Sequence, residues 1–216
     1  MKATENDGDV IISHECSTNA CTAFVTMALS NLPPLHKLNI SMQSGHSFNL
    51  DDKNVVSLSK HAMMESLTLD PVVIISSSVV ENMLSCLNHI KVLKLIGYRD
   101  LGVTSSDVLR CISEQSSRNQ LMNLESLDVT IHDSGSFVNL EEVVDRFVSS
   151  NTKQSLQNEI TFVSTSIKHF FLHGCASIRR LVLCTPDLLR LHISQCPSLS
   201  IISFDETMGK CSNKVR

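Results

Sequence analysis

The pattern Leu-x-x-Leu-x-Leu, with conservative apolar replacements, occurs eight times between residues 35 and 204 of this 216-residue chain. Four copies are spread through the first two thirds: Leu35-x-x-Leu38-x-Ile40, Met64-x-x-Leu67-x-Leu69, Ile90-x-x-Leu93-x-Leu95 and Leu124-x-x-Leu127-x-Val129. Four more crowd the last third: Ile167-x-x-Phe170-x-Leu172, Ile178-x-x-Leu181-x-Leu183, Leu188-x-x-Leu191-x-Ile193 and Leu199-x-x-Ile202-x-Phe204. In each copy the last two apolar residues are separated by one position. On a strand this spacing sends both to one face and the residue between them to the other. The apolar residue three positions earlier fills the turn below. A single strand of this kind cannot bury its face alone, so successive copies must stack and share one core, as repeat solenoids do. With no Trp, one Tyr and 4% aromatic residues, that core is built from Leu, Ile and Val.

The steps between copies change along the chain. From Leu38 to Leu67, Leu93 and Leu127 they are 29, 26 and 34 residues, and from Leu127 to Phe170 the step is 43. A further strand around Leu156, Ile160 and Phe162 divides that last interval. The late steps are only 11, 10 and 11 residues, too short for one turn of a solenoid, whereas two together make a normal one. Both sides of each late turn are therefore expected to be strands, with Ile160, Leu181 and Ile202 in one sheet and Phe170 and Leu191 in the other.

Between the early copies lie segments with helical start signals. Ser78-Val79-Val80-Glu81 reads as a capping box ahead of a face made by Val79, Val80, Met83, Leu84 and Leu87. Thr104-x-x-Asp107 opens a second helix with Val108, Leu109 and Ile112, and Asn139-x-x-Glu142 a third with Leu140, Val143, Val144, Phe147 and Val148. The expected fold class is an α/β solenoid, helical on its convex side early and closed by short strand–strand turns late. Residues 29–206 form the repeat domain, 1–28 a flexible or partly ordered arm, and 207–216 a polar tail.

The formal charge of −4, from 18 basic and 22 acidic residues, lacks the basic footprint of a general nucleic-acid binder. Eight cysteines are scattered without paired spacing, and no charged and apolar leader opens the chain. Free thiols in the cytoplasm or nucleus are the expectation. The most apolar stretches, residues 20–29 and 71–80, are shorter than the roughly 20 residues of a membrane span, so no membrane partner is expected.

Cys175-x-x-Ile178-x-x-Leu181-x-Leu183 and Cys196-x-x-Leu199-x-x-Ile202-x-Phe204 resemble the cysteine-containing leucine-rich repeat. The stretch from Pro186 to Leu199 is similar to repeats of plant F-box/leucine-rich-repeat proteins, and also to those of plant nucleotide-binding immune receptors. The resemblance is loose over residues 29–206 and close over 163–206. It implies a protein-recognition module. In the first family the repeats hold a substrate for a ubiquitin ligase; in the second they sense or restrain. Residues 1–31 do not resemble an F-box, and no Walker A glycine loop is present. The family reading therefore implies a repeat region associated with a separate or missing N-terminal domain.

A hydrolase is the alternative from another class, but neither a G-x-S-x-G elbow nor a catalytic-cysteine signature occurs. No catalytic residue and no cofactor are expected. Cys175 and Cys196 read as structural residues of the repeat turns. A zinc site from His169, His173 and Cys175 would need a helix to bring the two histidines together, and this segment reads as strand. His14, Cys16 and Cys21 match no zinc spacing. The candidate partner-binding residues are Lys168, His169, His173, Arg179, Arg180, Arg190 and His192. Across 168–192 only Asp187 is acidic, so arginines there suit an acidic or phosphate-bearing ligand. The plainer reading is a set of polar, solvent-facing positions between the leucines, and adjacent Arg179 and Arg180 should point in different directions.

Overall fold

All eight copies of the aliphatic pattern place their final pair on a strand. The computed structural model describes residues 2–6, 9–13, 18–41, 47–99, 103, 105–132 and 159–205. Among these residues it is a mixed α/β arrangement with two parallel sheets and no closed barrel. Strands β1 (Lys2–Asn6) and β2 (Asp9–Ser13) form an antiparallel pair, followed by helix α1 (Thr18–Asn31). Then come β3 (Lys37–Ser41), β4 (Phe48–Leu50), α2 (Asp52–Leu58), β5 (Ser66–Ile74), α3 (Ser77–Cys86), β6 (Val92–Arg99), α4 (Ser105–Ser117) and β7 (Ser126–His132). The described residues from 159 onward carry five strands and no helix: β8 (Glu159–Val163), β9 (His169–His173), β10 (Arg180–Cys184), β11 (Arg190–Ser194) and β12 (Ile201–Phe204).

The larger sheet runs β11-β9-β7-β6-β5-β3, with β4 paired to β5. Its register aligns the motif residues in two rows. Leu38, Leu67, Leu93, Leu127, Phe170 and Leu191 form one; Ile40, Leu69, Leu95, Val129, Leu172 and Ile193 form the other. Apart from half-buried Leu191 and Ile193 on the edge strand, every member is at most 1% exposed. Burying each such side chain stabilises the fold by about 1.5–3 kcal/mol, which is why the pattern dominates the architecture.

Opposite this sheet, each element leans on the next: α1 on α2, α2 on α3, α3 on α4, and α4 on β8. Strands β8, β10 and β12 then continue as a second parallel sheet with Ile160, Leu181 and Ile202 in register. Phe162 of β8 and Phe170 of β9 meet edge-to-face with ring centroids 5.3 Å apart, joining the two sheets through the core. The late strands thus divide as their spacing predicts, and β9 and β11 extend the sheet begun by the early strands.

The helices bury the expected faces. Val79, Val80, Met83, Leu84 and Leu87 are at most 2% exposed, and Val108, Leu109 and Ile112 are fully buried. The cap of α3 is Ser76, not the predicted Ser78: extended Ser76 accepts from the Val79 amide, while Ser78 already lies in the helix. Thr104, the helix predicted from Asn139-x-x-Glu142, Leu156 and the 207–216 tail lie outside the described residues. The predicted arm contributes β1, β2 and most of α1, whose Cys21, Val25 and Leu29 enter the core at i, i+4 and i+8. The expectation of free thiols throughout is corrected at Cys21, which is disulfide-bonded. Among the described residues, Cys86, Cys111, Cys175, Cys184 and Cys196 form no disulfide.

Two local features lock the first turns. The Asn54 side chain completes a reciprocal cap with Asp51, and its amide donates to Thr26 Oγ1 at 2.7 Å, fastening α2 to α1. His61, 1% exposed, sits between the Leu35 amide (3.2 Å from Nδ1) and the Leu29 carbonyl (3.1 Å from Nε2). That pairing fixes the proton on Nε2 and ties the end of α1 to the approach to β3.

Candidate functional site

Strand alternation decides which side chains the larger sheet presents away from the core. Between the two buried rows, Asn39, Thr68, Lys94, Asp128, Phe171 and His192 form one outward row. Lys37, Ser66, Val92, Ser126, His169 and Arg190 form the row before it, and Thr130, His173 and Ser194 belong to the row after it. We call this surface the open face.

Four of the seven candidate residues meet here: His169 and His173 on β9, and Arg190 and His192 on β11. His169 lies beside Arg190, and His192 beside Phe171, whose ring centroid is 6.4 Å from the imidazole. Ser194 Oγ is 2.7 Å from His173 Nδ1 and 3.1 Å from His192 Nε2, so one hydroxyl joins both rings. The Nδ1 atom of His169 is buried without a hydrogen-bond partner. Phe171 and Ser194 were not among the sequence candidates. The period of two in His-Phe-Phe-Leu-His and Arg-Leu-His-Ile-Ser is the signal that places them on the same face.

The other three candidates go elsewhere. Lys168 precedes β9 and binds Glu125 at 2.9 Å. It ends a ladder of alternating charge formed by the second position of successive motif copies. Lys91 binds Glu65 at 2.8 Å two steps earlier, and the chain amides after each of these positions donate to the carbonyl of the preceding rung. The hydrogen bond from Lys168, then its charge, holds Glu125 below the usual carboxylate range, and Lys91 does the same to Glu65. Glu65 in return raises Lys91. Arg179 and Arg180 lie at the start of the second sheet, opposite the open face: Arg179 immediately precedes β10 and Arg180 is its first residue. Arg180 Nη1 lies 3.4 Å from Glu159 Oε2, and the Arg179 carbonyl accepts from the amides of Ser200 and Ile201. The seven residues therefore do not form one patch, because β9 with β11 and β10 with β12 face opposite ways.

The cysteines of the repeat turns act as backbone ligands. The Cys175 thiol, fully buried, lies 3.8 Å from the His173 carbonyl, and Cys196 Sγ lies 3.3 Å from that of Ser194. Cys111, directed at the Ser77 carbonyl, has its thiol pushed up to about 11, chiefly by burial. Among the described residues no three His, Cys, Asp or Glu side chains are grouped to hold a metal ion. Within the same residues no helix is long and apolar enough to cross a membrane. No protein-family model, curated protein or solved structure matches the chain.

Proposed function

We propose that the chain is a leucine-rich-repeat solenoid that recognises a protein partner on the open face, as the substrate-binding region of an F-box-type ubiquitin-ligase subunit. The observation that carries this reading is the common register of the motif positions across β3, β5, β6, β7, β9 and β11. It holds outward side chains in fixed rows, so a partner binds without the chain having to order itself. The repetition of one motif across those strands, with thiols at the turns serving backbone carbonyls, supports the leucine-rich-repeat class. The thiols of Cys86, Cys111, Cys175, Cys184 and Cys196, outside any disulfide among the described residues, support a cytoplasmic or nuclear setting, and the disulfide at Cys21 runs against it.

The test is affinity capture with mass spectrometry at low and moderate salt, using three chains. The wild type and the pair Arg179→Glu with Arg180→Glu, on the second sheet, should recover the same partner. Arg190→Glu with His192→Glu, on the open face, should lose it while the melting temperature holds. Loss confined to the Arg179/Arg180 pair would place recognition on the other sheet and overturn the proposal.

A further inference from the structure

We infer that β9 and β11 form a docking site on the open face for an extended acidic peptide with the spacing acidic-x-apolar-x-acidic. This deepens the recognition reading and rests on it. Six outward side chains make the site in three pairs: His169 with Arg190, Phe171 with His192, and His173 with Ser194. Successive pairs are two residues apart along the strands, about 6.8 Å, the distance between alternate side chains of any extended peptide. A ligand strand laid along β9 and β11 thus meets the pair that carries the Arg190 charge, an aromatic pair and a hydrogen-bonding pair in turn.

Charge complementarity selects an acidic ligand. None of the six side chains is a carboxylate. The nearest outward carboxylate on the neighbouring strand, Asp128, is held by Lys94 at 3.2 Å, and Lys168 is taken up by Glu125. The exposed Arg190 guanidinium has no side-chain hydrogen bond or ion pair among the described residues. An arginine without a partner, on a rigid strand, is suited to a bidentate grip on a carboxylate. Half-buried Phe171 offers an apolar contact in the middle, and the Ser194 hydroxyl with its two imidazoles offers polar atoms at the far end. A nucleic acid would need a line of cations along its phosphates. Here one unpaired arginine stands in a chain of net charge −4, so a peptide is the occupant.

The experiment is fluorescence anisotropy at low salt with the full chain and a labelled peptide, Gly-Glu-Ser-Leu-Ser-Glu-Gly. Saturable binding is expected, weakened about tenfold or more by Arg190→Gln, as for loss of a charge-assisted contact. Phe171→Ser should weaken it too, whereas Arg179→Gln should leave it unchanged. Each variant must keep the wild-type melting temperature; Arg190→Lys, which retains the charge, covers the case in which Arg190→Gln unfolds, and should bind with intermediate affinity. The Lys-for-Glu peptide and the permuted Gly-Ser-Glu-Glu-Leu-Ser-Gly should bind more weakly. Equal affinity for the Lys peptide, indifference to Arg190→Gln, absence of saturable binding, or tighter binding of a short single-stranded RNA would each overturn the inference. If peptide binding fails while the Arg190/His192 pair still abolishes partner capture, the recognition reading stands and only the acidic ligand is wrong.

Discussion

The Ser116 hydroxyl donates to the Val163 carbonyl across 2.7 Å, tying the last turn of a helix to the edge of a strand. One turn earlier Ser113 makes the same contact with the Thr161 carbonyl. Strand β8 pairs on one side with β10; on its other side α4 stands where a further strand would be. The serines satisfy acceptors that would otherwise be left without partners, and they cover a sheet edge open to stray pairing. This is the joint at which the layer opposite the large sheet changes from helices to strands.

Replacing both serines by alanine should therefore strip two carbonyls of β8 of nearly buried hydroxyl donors. Ser113 and Ser116 are 6% and 8% exposed. A loss of about 1–3 kcal/mol is expected in urea unfolding, with faster hydrogen exchange concentrated in β8. An unchanged unfolding midpoint would mean that water replaces the hydroxyls without cost.

Leu181 and Ile202 occupy equivalent positions in register but different depths, 0% and 44% exposed. Leu181→Ala opens a cavity and should cost about 2–5 kcal/mol. Ile202→Ala, on the edge strand, should cost well under half as much. Denaturant unfolding of the two variants checks this, and similar losses would contradict the assigned layer order.

Gly97 answers a bulge in β5, where Asp70 and Pro71 stand opposite the single residue Ile96. A Cβ at position 97 would lie 1.8 Å from the Val72 carbonyl oxygen. Because that atom is backbone, the strands must part, and Gly97→Ala should destabilise the chain by about 1–3 kcal/mol or more. A melting temperature equal to wild type would show that the two strands are not in this register.

Much of this fold is legible in the sequence because burial of Leu-x-Leu pairs outweighs every local preference. The 21-residue double step also separates Leu181 from Leu191 by spacing alone. What is not legible depends on register. The alternation Glu65, Lys91, Glu125, Lys168 stands at one motif position, yet it becomes a ladder only once the turns stack. Reading 168–192 as one basic patch fails because a strand pair at a 10- or 11-residue step faces the opposite sheet. The cap of α3 is misplaced by two residues because three serines in a row, Ser76 to Ser78, all qualify by type, and only Ser76 is the extended residue that precedes the helix.

The ladder makes a prediction about acid. Glu125 titrates below its ordinary value of 4.5 in the folded chain, so its pairing with Lys168 contributes stability above that pH and loses it as the pH falls through the lowered value. Lys168→Met should raise the Glu125 carboxyl midpoint, read by NMR, and leave Glu65 close to where it was. Both pairs are about half exposed, so salt should weaken the effect. A Glu125 midpoint indifferent to Lys168 would remove the rung.

The central claim is that the open face is where a partner sits, and site-specific photo-crosslinking in cells measures it most directly. A photoreactive phenylalanine analogue is placed singly at Thr68, Thr130 or Phe171 on the open face, and at Val182 or Arg179 on the second sheet. One shared protein should be cross-linked from the three open-face positions and not from the other two. The same protein captured from Val182 and Arg179, with none from Thr68, Thr130 and Phe171, would contradict it.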